Sequence, residues 1–163
     1  MFALKTATDL AKPELYQDLA AQLEALLAGE RDFVANAANM SALLYHSLPD
    51  LNWAGLYLMR GSELVLGPFQ GKPACVRIPV GRGVCGAAVA ERRSLLVPDV
   101  HAFPGHIACD SASRSELVVP LVREGEVLGV LDLDSPSPNR FDEDDRVGCE
   151  RLAAILVGAS DPF

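Results

Sequence analysis

Apolar positions fall at helical spacing twice before any strand pattern begins. Between Pro13 and Ala28, Leu15, Leu19, Leu23 and Leu26 line one face, with Pro13 suited to a first helical turn and Gly29 to a stop. Asp32 is placed to cap a second helix whose face is Phe33, Ala37, Met40 and Leu44, ended by Pro49. From Asn52 the period changes. The runs WAGLYLM, ELVLGPF and VRIPV are short, apolar or alternating, and are separated by Arg60-Gly61 and Gly71-Lys72, so they predict strands joined by tight turns. Residues Gly83 to Glu91 predict a short helix and Leu95 to Pro98 a short strand. Glu116 to Val122 and Val127 to Asp134 predict a hairpin about Arg123 to Glu126. Phe141, Asp142 and Asp145 carry the spacing of a hydrophobic staple and capping box, opening a last helix that runs to about Leu156.

This order predicts one α+β domain over residues 1–163: a helical segment 1–48, a sheet with its pocket 49–140 and a helix 141–158. The sheet is mainly antiparallel, with N- and C-terminal helices on one face and loops or short helices forming a pocket on the other. The segment from Asp99 to Ser115 is a long connection with few strand formers, of the kind that usually serves function.

A length of 163 residues suits a single core. The net charge of -8 removes the basic face that nucleic acid or an anionic membrane would need. The first fifteen residues lack the apolar run of a signal peptide, and no stretch has the length of a membrane span, so a cytoplasmic chain is expected. The apolar stripes at Leu15 to Leu26 and Val147 to Leu156 leave room for a homodimer.

Four cysteines, Cys75, Cys85, Cys109 and Cys149, are the chemistry that composition leaves to explain. In a reducing compartment they point to redox work or metal. The tight pairs of structural zinc are absent, so no metal or cofactor is expected, and a zinc-stabilised binding protein is a minor alternative. Cys149 shares a helical face with Leu152 and Leu156 and reads as core. Cys109 differs, because Phe103-Pro104-Gly105-His106-Ile107-Ala108-Cys109-Asp110-Ser111 reads as a polar, exposed loop where a thiol reacts. Asp132 and Asp134 lie two apart on a predicted strand and so share a face, with Glu116 on the preceding strand. Crowded carboxylates of this kind need a cation or raised pKa values. Trp53 and Tyr57 alternate about Gly55 and face one side.

The segments Ala74 to Ile78, Gly81 to Gly86, Val97 to Asp110 and Ser115 to Pro120 together resemble the free methionine-(R)-sulfoxide reductases, a family built on a GAF-type domain. The likeness runs through about two thirds of the chain. It implies an oxidoreductase in which Cys109 is the catalytic cysteine, Cys75 the principal resolving cysteine and Cys85 a second recycling cysteine. It further implies that Glu116, Asp132 and Asp134 bind substrate beside an aromatic wall of Trp53 and Tyr57. Crowding by its acidic neighbours would also let Glu116 protonate the sulfoxide oxygen, and which acid holds the ammonium and which serves the oxygen stays open. The implied partners are free methionine sulfoxide and thioredoxin or a similar dithiol. A non-catalytic GAF-type sensor of small ligands is the competing expectation.

Overall fold

The protein, described by a computed structural model over residues 10–107 and 110–162, has four helices and six strands. Helix α1 (Lys12–Leu27) and helix α2 (Phe33–Ser47) come first. They are followed by β1 (Trp53–Arg60), β2 (Glu63–Gly71), β3 (Arg77–Pro79), α3 (Gly83–Glu91), β4 (Leu95–Val97), β5 (Ser115–Arg123), β6 (Glu126–Ser135) and α4 (Glu143–Ala159). The sheet order is β3-β2-β1-β6-β5-β4, and every neighbouring pair is antiparallel.

Alternation along the central strands decides which layer each residue joins. Leu56 of β1, Leu117, Val119 and Leu121 of β5, and Leu131 and Leu133 of β6 bury themselves under α1, α2 and α4. Their neighbours Trp53, Tyr57, Val118 and Val130 turn the other way, into a second cluster closed by α3. The fold is thus the expected α+β arrangement, with long helices on one face and a pocket-forming layer on the other.

Local signals account for the joints. The β5–β6 hairpin turns through Glu124 and Gly125, both with positive φ (51° and 82°), which is the type I′ geometry matched to strand twist. Asp32 caps α2 by accepting from the Ala35 amide at 2.8 Å. The capping box on α4 is formed between Asp142 and Asp145. The staple is not, because the residue one turn inside the helix is Arg146. Phe141 instead joins the main core, with the Arg140 guanidinium 5.2 Å above its ring.

Helices α1 and α4 are locked by a buried charge. Asp145, fully inaccessible, receives Lys12 at 2.5 Å, Arg140 at 3.1 Å and the Tyr16 hydroxyl at 2.8 Å. Gly148 admits the Tyr16 ring, since a Cβ there would lie 2.1 Å from Tyr16 Cγ. Cys149 is a core thiol beside Tyr16, as its helical face predicts, and burial pushes its pKa up to about 12. Leu15, Leu19 and Leu23 of α1 and Leu152 and Leu156 of α4 are all buried within the chain. The stripes expected to leave room for a dimer are therefore mostly consumed internally.

Candidate active site

On the face opposite the long helices, a small cavity opens between the sheet, the start of α3 and the loop before β5. Its floor is built by register. On β6, Asp134 stands opposite Trp53 of β1 and Glu116 of β5, while Asp132 stands opposite Gly55 and Val118. Three carboxylates from two strands and one indole from a third therefore converge on one face.

The aromatic wall depends on a missing side chain. A Cβ on Gly55 would lie 2.7 Å from the Trp53 ring and 2.3 Å from Phe69 Cβ. With glycine there, the indole lies flat, stacked on Phe69 (5.3 Å, 14°) and on Tyr57 (5.8 Å, 24°). Both aromatics also hold the segment that carries Cys75. The indole N–H donates to the Lys72 carbonyl at 3.2 Å, and the Tyr57 hydroxyl donates to the Cys75 carbonyl at 3.0 Å.

The floor is electrostatically costly. Glu116 and Asp132 are each only 6% exposed. Burial first, then the charges of Asp132 and Asp134, hold the Glu116 carboxyl well above the ordinary range. Burial and Asp134 do the same to Asp132. The two carboxyls also hydrogen-bond each other, and both are held toward their protonated forms. Asp134 rises to about 7, chiefly through burial and despite a hydrogen bond from Ser113. Asp132 Oδ1 is fully buried and has no hydrogen-bond partner, a vacancy that a donor group on a ligand would fill.

Cys85 comes to the same place from the first turn of α3, its thiol 3.9 Å from Glu116 Oε1. Burial, followed by Asp132 and Glu116, pushes that thiol well up, so it is protonated at neutral pH. His106 Nε2 lies 3.8 Å from Glu116 Oε2, and burial together with His101 lowers the imidazole pKa. The floor therefore holds acids and a thiol whose neutral forms are favoured by burial and by one another.

Seen against known proteins, these features have relatives. A GAF domain profile matches residues 14–159. The chain is 57% identical to free methionine-R-sulfoxide reductase from Escherichia coli, over 89% of this chain and 88% of that protein. The chain belongs to the free methionine-R-sulfoxide reductase family. Among solved members of that family, the Neisseria meningitidis enzyme in complex with its substrate superimposes with a TM-score of 0.93 at 47% identity, covering 98% of this chain and 95% of that one. The reduced form of the Staphylococcus aureus fRMsr does so with 0.87 at 45% identity, covering 98% and 99%.

Of the family residues expected from sequence, the pocket gathers Trp53, Tyr57, Cys85, Glu116, Asp132 and Asp134. Cys75 sits beside them on the tethered segment and is disulfide-bonded, while Cys85 and Cys149 are free. Cys109 lies outside the described residues. The rim was not foreseen. Asn52 donates to Asp110 Oδ2 at 3.3 Å and to Ser113 Oγ at 3.0 Å, and Lys72 pairs with the same carboxylate at 3.3 Å. Polar residues in a loop carry no periodicity to betray such contacts; Asp110 alone stood within the motif. Ile107 packs over Gly83, whose φ of +60° and missing side chain admit it.

Proposed function

We propose that the protein reduces free L-methionine-(R)-sulfoxide to L-methionine. The observation that carries this reading is a small pocket whose floor is three carboxylates, Glu116 and Asp132 buried and Asp134 half-buried, and whose wall is two stacked aromatics. That pairing suits a free amino acid: the ammonium satisfies the orphaned Asp132 oxygen and its neighbours, and the S-methyl packs on the indole. A methionine inside a peptide has no ammonium to offer, so it is excluded. Support for the substrate also comes from the relatives named for this activity, one of them solved with its substrate.

The chemistry runs through sulfur. The Cys109 thiolate attacks the sulfoxide sulfur while the S–O oxygen takes protons, one from the neutral Glu116 carboxyl. The methionine sulfur gains two electrons and leaves as thioether. The S–O oxygen departs as water, a water molecule then cleaves the new S–S bond, and the cysteine sulfur, having lost two electrons, becomes a sulfenic acid. The Cys75 thiol then displaces water to form a disulfide, which thioredoxin or a similar dithiol reopens by exchange. The disulfide at Cys75, beside two free cysteines, supports its role as the resolving thiol, with Cys85 as a second recycling thiol. Carboxylates in the substrate pocket disfavour a thiolate nucleophile, and the arriving ammonium offsets them, so binding helps to activate the cysteine.

The test is methionine release from each sulfoxide epimer with dithiothreitol as reductant. Turnover of the (R) epimer alone, abolished by Cys109→Ser, is expected. Activity that survives that substitution, or equal turnover of a blocked peptide substrate, would overturn the reading.

A further inference from the structure

Cysteine spacing argues against a zinc site, yet the fold completes a ligand set that spacing cannot show. Cys85 Sγ, a Glu116 oxygen and an Asp132 oxygen lie within 4.8 Å of one another, and all three residues are buried. They come from α3, β5 and β6, so no local motif joins them. We propose that this floor binds one thiophilic divalent cation, zinc in the first instance, and that the cation competes with the amino-acid substrate.

Three observations converge on that assignment. The donors are a thiol and two carboxyls, a set zinc accepts in a tetrahedral shell. Tetrahedral zinc places such donors roughly 3.4–3.6 Å apart, so small side-chain rotations close the shell. Asp132, which lines the cavity, has a buried Oδ1 without a hydrogen-bond partner, so that oxygen is available to a ligand. The cavity then supplies the fourth position: three protein ligands and one open site facing solvent is the arrangement in which zinc exchanges readily. On binding, the Cys85 proton and any carboxyl proton pass to solvent. The ion would occupy the place given above to the substrate ammonium. It acts here as an inhibitor and takes no part in sulfoxide reduction. The competitive part rests on the proposed function; the coordination does not.

Calorimetric titration of zinc into the reduced full-length protein tests both. One ion per chain is expected, with affinity weakened at least ~10-fold by Cys85→Ser and separately by Asp132→Asn, and unchanged by Cys149→Ala. Cadmium should give a thiolate-to-metal charge-transfer band that Cys85→Ser removes, a readout independent of catalysis. Free L-methionine should raise the apparent zinc Kd in proportion to its concentration. Absence of stoichiometric binding, or binding lost in Cys75→Ser or Cys109→Ser but retained in Cys85→Ser, would overturn the site. Zinc bound through Cys85 but indifferent to methionine would leave the coordination standing and defeat competition. Should an active wild-type enzyme bind no zinc, the inference fails and the reductase reading survives.

Discussion

Glu116 and Asp132 touch each other and do opposite work. Glu116 holds a proton at neutral pH because it is buried among acids, which suits it to protonate a leaving oxygen. Glu116→Gln keeps shape and hydrogen bonding but cannot release a proton. Steady-state assays should show kcat reduced about 100-fold with KM changed far less; a loss confined to KM would make Glu116 a binding group only. Asp132 carries the unpaired oxygen. Asp132→Asn should raise KM about 10- to 100-fold, the worth of a buried charge-assisted contact. The same change removes a buried acid that folding must desolvate, so the apparent melting temperature of the ligand-free protein should rise by a few degrees. Strand alternation put Asp132 on one face with Asp134, and the family resemblance marked Asp132 and Glu116 as site candidates. That both are held toward their protonated forms was not legible, because that depends on burial and on neighbours from other strands.

Elements were legible where a short-range signal fixes them. The Asp142–Asp145 capping box, the Asp32 cap and the Glu124-Gly125 turn could each be read from a few residues, since each satisfies its own backbone groups. The staple expected at Phe141 failed because the position it would pair with is Arg146, and the ring packs into the main core. Docking of α1 on α4 through Asp145 was invisible in sequence, since its partners Lys12 and Tyr16 lie about 130 residues away. That lock is structural and distant from the pocket, so Asp145→Ala should separate stability from catalysis. Removing the carboxylate strands Arg140, whose side chain is 10% exposed, and the buried Tyr16 hydroxyl. Chemical denaturation should report a loss of about 3 kcal/mol, with KM for the sulfoxide unchanged at a temperature where the variant is folded. A shifted KM would show that the helical layer shapes the pocket.

At the scale of the whole molecule, the site exists because β6 inserts between β1 and β5 and so brings Trp53 beside Asp134. Sequence alternation assigns faces to strands but does not say which strands are neighbours, so the cluster of Cys85 with Glu116 and Asp132 could not be read from spacing. The consequence of this convergence is global. A carboxyl whose pKa is raised by folding stabilises the protein fully below its unfolded value, near 4, and loses that contribution as pH climbs through the folded value. For Asp134 that value is about 7, and Glu116 and Asp132 are displaced in the same direction. The ligand-free protein should therefore become less stable as pH climbs from about 4 to about 7, with the melting temperature falling by several degrees. Asp134→Asn should flatten the slope, since it removes the group titrating in that window. Saturating L-methionine should flatten it too, because a bound ammonium replaces the proton as the neutralising charge. A ligand-free protein whose stability is level or rises over that window would mean that the floor is ionised at neutral pH, and the proton assigned to Glu116 would have to be withdrawn.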